Sequence, residues 1–316
     1  MFSSWDNIFY SCSIVWLVGL FAIDSGRGSD RVLYTNITDR ETEKATEKIK
    51  RWAIQHMKNN KISHHWWYLE LSAEVKNWVD VCTLSTKIKS MFASIFVPLL
   101  YTVDIIPEMN EIYISGEDRM NEYMQSDRVF YIPHIDGPFL WIPFVSVYRC
   151  MIGLNENSRI VTHFPIPQKC QKVQQGDVLA FDFNREIHYI SVCTESKKIS
   201  HEPRVALKIH YCIYPKCMYW LGMGMYSLNV MYNRTMREVF LETIQPDTYM
   251  SRLKGSIVVI ATHSYVFIER NIGYRNILYV LLFHRMLQTS YISKPAFSLM
   301  MMLPVVYRYS QYVFSF

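Results

Sequence analysis

Charged residues are scarce in this chain of 316 residues, and several motifs that would define a function are missing. Asp, Glu, Lys and Arg make up 19% of the sequence, less than is usual in soluble proteins. The net charge of +5 is spread along the chain, so the sequence has no electrostatic footprint of a nucleic-acid-binding protein. No GxSxG stretch supports a catalytic-triad hydrolase, and no clustered HxxxH or HxxHH boxes support a membrane di-iron hydroxylase.

The seven cysteines are an odd number and include no CxxC pair. They argue against a zinc ribbon and against a disulfide framework that uses every thiol, and they leave the redox compartment open. Two Asn-x-Ser/Thr triplets, at Asn36 and Asn233, would accept N-glycosylation if the chain enters a secretory lumen.

Hydrophobic residues, in contrast, make up 50% of the chain. Residues 8–23 are apolar or small, which favours a signal or membrane anchor within residues 1–24 over a buried segment. Further apolar runs follow residue 215, each shorter than a clean membrane span or containing His, Arg or Pro. We expect residues 216–316 to form a hydrophobic, helical region at a membrane, in the endoplasmic reticulum or another secretory compartment.

Residues 25–91 are predicted to form a helical support region. Thr38 and Glu41 have the spacing of a capping box, and an apolar stripe with helical period follows them. The stripe consists of Ala45, Ile49, Trp52, Ala53 and Met57. We expect this amphipathic helix to cover a β-rich core rather than to bind a membrane.

Short runs rich in β-branched and aromatic residues follow from residue 92 to residue 215, separated by Pro, Gly, Asn and Asp. The predicted strands include SIFVPLLYTV, RVFYIPHI, SRIVTHF, GDVLAFDF, IHYISVC and RVALKIHYCIY. Many short strands without helices between them are typical of a sandwich, jelly roll or barrel. The predicted fold is therefore mainly β, with an N-terminal amphipathic helix and a hydrophobic C-terminal region.

The stretch YIPHIDGPF, residues 131–139, places His134 and Asp136 two positions apart. In a strand, these two side chains point to the same face. His188 follows in a later predicted strand. Two imidazoles and one carboxylate suit Fe(II) and leave further coordination positions open, so the three side chains are candidate metal ligands.

Arg204 begins the next predicted strand, and its planar fork suits the far carboxylate of a dicarboxylic co-substrate. The alternative for Arg204 is an ion pair with Glu202 or Asp182. The alternative for the His-x-Asp pair is a buried histidine beside a carboxylate, without chemistry. His163 and His210 also lie in predicted strands and compete as ligands, although we expect both to be core or rim histidines with local partners.

This ordered set of His-x-Asp, His, and Arg followed by a small residue resembles the Fe(II)- and 2-oxoglutarate-dependent dioxygenase superfamily over residues 95–215. The resemblance implies a double-stranded β-helix, also called a jelly roll, within residues 92–215. It implies that Fe(II) is the cofactor and 2-oxoglutarate the co-substrate. The implied metal-binding and catalytic residues are His134, Asp136 and His188. The residues implied to bind the co-substrate are Arg204, Arg149 and Tyr131.

Two stretches, YRCMIGL and GDVLAFDFNREIHYI, are also similar to the aspartyl/asparaginyl β-hydroxylase branch, whose familiar members lack the carboxylate ligand that Asp136 would provide. The resemblance implies hydroxylation of a protein side chain or a lipid at a membrane, with ascorbate as an optional further cofactor. One alternative is a catalytically inactive cupin-like binding domain on a membrane-anchored interaction protein. Another is an integral-membrane interaction protein.

Overall fold

The computed structural model describes residues 11, 12, 15, 32–57, 63–115, 128–156, 160–192, 203–244, 248–271 and 277. Residues 27–263 form one compact unit, and residues 1–26 together with 264–316 form a second. The candidate site lies within the first unit. The predicted anchor at residues 8–23 lies almost entirely outside the described residues, as does the chain beyond residue 277.

Seven strands of the first unit form an antiparallel sheet in the order β1-β8-β5-β10-β4-β2, with β3 also paired to β10. The strands of this sheet are β1 (Leu33–Asn36), β2 (His64–Trp67), β3 (Tyr101–Ile105), β4 (Glu111–Ile114), β5 (Ser146–Gly153), β8 (Asp177–Asp182) and β10 (Val205–Pro215). β10 is buried along almost its whole length, as expected of a central strand covered on both faces.

A second antiparallel sheet has the order β7-β6-β9. Its strands are β6 (Ile160–Phe164), β7 (Lys169–Lys172) and β9 (Tyr189–Val192). An isolated antiparallel bridge between His134 and His188 lies at the start of β9. The two antiparallel sheets are consistent with a jelly-roll-like arrangement.

The alternation of residues along β10 separates its two faces. Val205, Leu207 and Ile209 belong to a large apolar core. That core also contains residues of three helices, α1 (Arg40–His56), α2 (Ala73–Thr83) and α3 (Thr86–Ala93). Ala206, Lys208 and His210 lie on the opposite face of β10, and Arg204, just before the strand, continues that face. The charged and imidazole side chains of this segment are therefore on the face turned away from the large apolar core.

Helix α1 begins after Asp39 rather than at the predicted capping box of Thr38 and Glu41. The Asp39 carboxylate accepts from the backbone N–H of Thr42 at 3.0 Å and from the Ser85 hydroxyl at 2.9 Å. Aspartate one position later therefore provides the cap, and it also ties α1 to the start of α3. In the predicted stripe, Ala45, Ile49 and Ala53 are buried in the core, and Trp52 and Met57 pack against it.

Two long helices follow the sheet, α5 (Tyr219–Ile244) and α6 (Tyr249–Asn271). Helix α5 packs on β10, where Met225 joins a second apolar core with Cys212 and Tyr214. Within the described part of the chain, no helix combines the length and apolar character needed to cross a membrane.

The predicted strand RVFYIPHI does not form. Its first residues make a single helical turn, α4 (Arg128–Tyr131), and His134 makes only the isolated bridge. Pro133 has no N–H for a sheet ladder and restricts the residue before it, so the chain cannot continue as a strand there. Similarly, residues 94–100 are turns and a bend, and the strand predicted there begins only at Tyr101.

Two glycines of α5 differ in how closely they approach the sheet. A Cβ on Gly222 would lie 2.4 Å from the Tyr214 ring, whereas a Cβ on Gly224 would meet no atom within 4 Å. Gly222→Ala should therefore destabilise the protein by about 1–3 kcal/mol through overpacking. Gly224→Ala should stabilise it by up to about 1 kcal/mol through helix propensity. Urea unfolding of both variants measures the difference, and shifts of the same sign would contradict this packing.

Candidate metal centre

His134 and His188 face each other across an antiparallel bridge. The backbone N–H of each residue donates to the carbonyl of the other, in both cases at 3.0 Å. The centroids of the two imidazole rings are 4.4 Å apart. Side chains of directly opposed residues lie on the same face, so the bridge brings together two histidines that are distant in sequence.

A backbone carbonyl fixes the orientation of each imidazole. His134 Nδ1 lies 2.8 Å from the carbonyl oxygen of Ile132, and His188 Nδ1 lies 3.1 Å from that of Glu186. Because a carbonyl oxygen can only accept, each Nδ1 carries the proton and each Nε2 presents a lone pair. His134 Nε2 is 3.7 Å from Asp136 Oδ1, and His188 Nε2 is 3.5 Å from Asp136 Oδ2. The carbonyl contacts are the usual support of metal-binding histidines.

The backbone after Asp136 is held against the end of β8. Gly137 donates its N–H to the carbonyl of Phe183 at 2.9 Å. A Cβ on Gly137 would lie 2.2 Å from Asn184 Oδ1 and 2.6 Å from the Phe183 ring, so any larger residue would force these side chains to shift. The Asn184 amide also donates to Asn229 of α5 at 3.1 Å. The contacts of Gly137 therefore help to fix where Asp136 lies, and α5 supports them through Asn229.

Arg149 on β5 holds the Asp136 carboxylate. Its Nη1 donates to Asp136 Oδ2 at 2.7 Å, and its Nε donates to His210 Nε2 at 3.0 Å. The guanidinium carbon also lies 4.8 Å from the centre of the Phe183 ring. The structure thus places Arg149, which the resemblance assigned to the co-substrate, beside a candidate metal ligand.

Burial and neighbouring charges set the protonation of the three candidate ligands. Burial, the largest effect, lowers the pKa of His134 and lowers the pKa of His188 to about 3. Burial alone would raise the pKa of Asp136, but Arg149 and the two histidines together lower it to about 2. At neutral pH the set consists of two neutral imidazoles and one carboxylate, the forms that bind metals.

The donor atoms of His134, Asp136 and His188 all lie within 4.8 Å of one another. Two imidazoles and one carboxylate form the facial triad that holds Fe(II) and leaves positions open for other ligands. Fold and site together define a β-rich protein with a candidate non-haem metal centre.

A small cavity, here called the Arg204 cavity, connects the triad with the start of β10. Arg204 is buried, and its Nη2 lies 3.0 Å from Met151 Sδ. Thr162 Oγ1 in the same wall is buried and has no hydrogen-bond partner among the described residues. Burial lowers the pKa of Arg204, and the nearby Tyr113 and Tyr131 partly offset that effect. The predicted residues Arg204 and Tyr131 thus lie close to each other.

A larger cavity of about 160 Å³ also reaches the triad and is called the α5 cavity. Trp67 of β2 and Phe183 line it from the sheet, and Tyr232, Met236 and Arg237 line it from α5. Burial and the Asp136 carboxylate raise the pKa of Tyr232 to about 12. The predicted C-terminal region therefore contributes a wall beside the candidate metal centre.

Lys208 and Glu111 form a buried ion pair that sequence analysis missed. The Lys208 ammonium lies 4.8 Å from the centre of the Tyr113 ring and 5.6 Å from that of Phe130. Lys208 and Phe130 line both cavities. The available signal was the period of two on β10, because Lys208 follows Arg204 by four residues and so shares its face.

The competing histidines have other partners. His163 lies 3.1 Å from Cys170 Sγ through Nδ1 and 2.6 Å from Ser191 Oγ through Nε2. His210 accepts from Arg149, as described above. The alternative partner of Arg204 on β8, Asp182, pairs with Arg185 at 2.8 Å. The other alternative, Glu202, lies outside the described residues.

No protein-family model matches the chain, and no curated protein matches it. Among solved structures, it is similar to the viral collagen prolyl hydroxylase from Paramecium bursaria Chlorella virus-1 in complex with 2OG. That likeness has 13% identity and a TM-score of 0.35, over 58% of this chain and 96% of the other. A prolyl-4-hydroxylase from Pseudomonas putida gives 8% identity and a TM-score of 0.35, over 62% and 97%. NgTET1 in complex with 5mC DNA gives 12% identity and a TM-score of 0.28, over 58% and 71%. The identities and TM-scores of these likenesses are too low to indicate a function, so the functional conclusion rests on the residues of the site.

Loss of any candidate ligand should weaken metal binding. We expect each of three variants, His134→Ala, Asp136→Ala and His188→Ala, to lower the affinity for Co(II), a spectroscopic substitute for Fe(II), by more than about 100-fold. This loss is larger than the loss of about 10- to 100-fold that is typical when only a hydrogen-bond partner of a metal ligand is removed. Calorimetry and the visible Co(II) spectrum measure this. His163→Ala is the control and should bind like the wild type, and tight binding by all three ligand variants would exclude this metal site.

Arg149→Met should leave the Asp136 carboxylate buried without its cation. We expect the metal-free protein to lose about 3 kcal/mol of unfolding free energy, as for other broken buried ion pairs. The loss should be smaller with saturating Co(II), because the metal supplies the missing positive charge. Urea unfolding with and without Co(II) measures both values. Arg51→Met, at an exposed arginine of α1, is the control, and an equal loss under both conditions would contradict the proposed contact.

Proposed function

We propose that the protein is a non-haem Fe(II)- and 2-oxoglutarate-dependent dioxygenase that hydroxylates its substrate. One observation carries this proposal: the Arg204 cavity contains both a His-Asp-His donor set and a buried arginine without an acidic partner among the described residues. A metal at the donor set and a carboxylate at Arg204 would occupy the two ends of one cavity. A dicarboxylate that binds a metal at one end matches this arrangement.

The surroundings of Arg204 fit a carboxylate. A buried cation without a counter-charge is unfavourable, and here the Arg204 guanidinium contacts the Met151 thioether. A carboxylate would accept two hydrogen bonds from the guanidinium fork. The unpartnered Thr162 hydroxyl in the same cavity would donate a further hydrogen bond to that carboxylate. Both polar groups would then be satisfied.

The residues around the triad would hold, orient and shield the reacting groups. His134, Asp136 and His188 would bind the iron in its open facial arrangement. When bound, iron and 2-oxoglutarate supply oxygen activation, in which hydroxylation of the substrate accompanies decarboxylation of the co-substrate to succinate. Arg149 keeps Asp136 ionised and in place. The Phe181 ring, centred 4.5 Å from the His188 ring, helps to exclude water from this side.

We propose the superfamily rather than the aspartyl/asparaginyl hydroxylase branch, because Asp136 supplies the carboxylate that this branch lacks. The apolar segments at residues 8–23 and 216–316 remain the basis for a membrane setting in a secretory compartment. A protein side chain or a lipid as the substrate, and ascorbate as an additional cofactor, also remain predictions. The alternative, an inactive cupin-like binding domain, predicts no turnover of 2-oxoglutarate.

An anaerobic titration with Fe(II) and then 2-oxoglutarate tests the proposed function. The wild type should develop a visible metal-to-ligand charge-transfer band, and His188→Ala should not. Arg204→Ala should need a 2-oxoglutarate concentration at least about 30-fold higher than the wild type to develop the band. This factor is the lower end of the affinity loss that is typical when a buried charge contact is removed.

Arg234→Gln, at an exposed arginine of α5, is the matched control and should titrate like the wild type. Absence of the band from folded, metal-loaded protein would favour the binding domain. An unchanged 2-oxoglutarate requirement in Arg204→Ala would assign the carboxylate contact to another cation, Lys208 or Arg149.

A further inference from the structure

The α5 cavity and the Arg204 cavity meet at the triad, where they share part of their lining. The residues shared by the two cavities are Phe130, His134, Asp136, Arg149 and Lys208. A co-substrate between the triad and Arg204 would leave the α5 cavity free. A second molecule in the α5 cavity would therefore lie directly beside the candidate metal centre.

One face of α5 and the edge of the sheet form the walls of this cavity. Tyr232 and Met236 are four residues apart and so lie on the same face of the helix. Trp67 and Phe183 line the cavity from the sheet. The two walls are thus largely aromatic and apolar, and such rings bind an apolar group by contact with their faces and edges.

The charges of the lining are balanced except for one. Asp136 pairs with Arg149, and Glu111 pairs with Lys208. Arg237 forms no salt bridge among the described residues, although the carboxylates of Glu111 and Glu70 partly offset the lowering of its pKa by burial. A binding site with these walls therefore has one unmatched positive charge.

The Arg237 side chain is held in place by three contacts. Its Nε donates to Asn233 Oδ1 at 3.1 Å, and its Nη2 donates to the backbone carbonyl of Glu108 at 2.5 Å. The guanidinium carbon lies 4.9 Å from the centre of the Trp67 ring, within cation–π range. None of these contacts is with a carboxylate, so none of them neutralises the charge. Asn233, which begins one of the two Asn-x-Ser/Thr triplets, is engaged in this arrangement through its side-chain oxygen.

We propose that the α5 cavity binds the substrate that is hydroxylated, and that this substrate combines an apolar body with a carboxylate. Arg237 binds the carboxylate, and Trp67, Phe183 and Tyr232 contact the apolar body. The term substrate rests on the proposed function, whereas the preference for an apolar acid rests on the cavity itself. Helix α5 then determines specificity.

Calorimetry with a matched pair of probes tests this proposal. The probes are 3-phenylpropanoate and its neutral amide, 3-phenylpropanamide, titrated into the full-length protein with and without Fe(II) and 2-oxoglutarate under anaerobic conditions. The wild type should bind the acid at least tenfold more tightly than the amide. Arg237→Gln should bind both equally, and Met236→Trp, which fills the cavity, should bind neither well.

Two variants serve as controls. Arg234→Gln on the same helix and Arg204→Gln in the other cavity should both keep the preference for the acid. Equal binding of acid and amide by the wild type would overturn the proposal, as would a preference that disappears in Arg204→Gln but survives in Arg237→Gln. A wild type that forms the charge-transfer band but binds neither probe would overturn this inference alone. Selective binding of the acid without the band would contradict only the proposed function.

Discussion

The pair of backbone hydrogen bonds between His134 and His188 is the constraint on which the candidate centre depends. It sets the separation of the two imidazoles through the main chain, so their positions do not depend on flexible side chains. The carbonyls of Ile132 and Glu186 then orient the rings, and the close approach of Gly137 to Asn184 places Asp136 between them. A donor set held in this way is organised before a metal binds, which is what precise coordination requires.

The buried charges explain the arrangement of the other residues in the site. Taking a charge out of water is unfavourable, and a buried pair often recovers little more than that penalty. The pairs of Asp136 with Arg149 and of Glu111 with Lys208 are therefore better understood as fixing positions than as adding stability. By the same reasoning, an incoming anion would remove an existing penalty at buried Arg204, and this supports its proposed role in binding a carboxylate.

Sequence patterns predicted those parts of the fold and site that depend on local order. The runs of β-branched and aromatic residues in SRIVTHF, GDVLAFDF and RVALKIHYCIY indicated strands, and β6, β8 and β10 lie there. The order of His134, Asp136, His188 and Arg204 indicated the candidate donors and the cation. The bridge of His134 to His188 and the contact of Arg149 with Asp136 join distant segments, and their register is set by pairing that no local pattern encodes. Near Pro133 the apolar run favoured a strand, although the missing N–H prevented one.

The apolar residues after position 215 show why composition alone cannot assign a role. An apolar helix face lowers its free energy equally well against lipid or against protein, and sequence records only that the face is apolar. In α5 the close fit of Gly222 on Tyr214 and the burial of Met225 show that part of this surface contacts β10. The contact of Asn229 with Asn184 extends this packing to the loop that positions Asp136. Residues of α5 therefore support the candidate metal centre, and this helix cannot be separated from the jelly-roll-like core without removing part of that support.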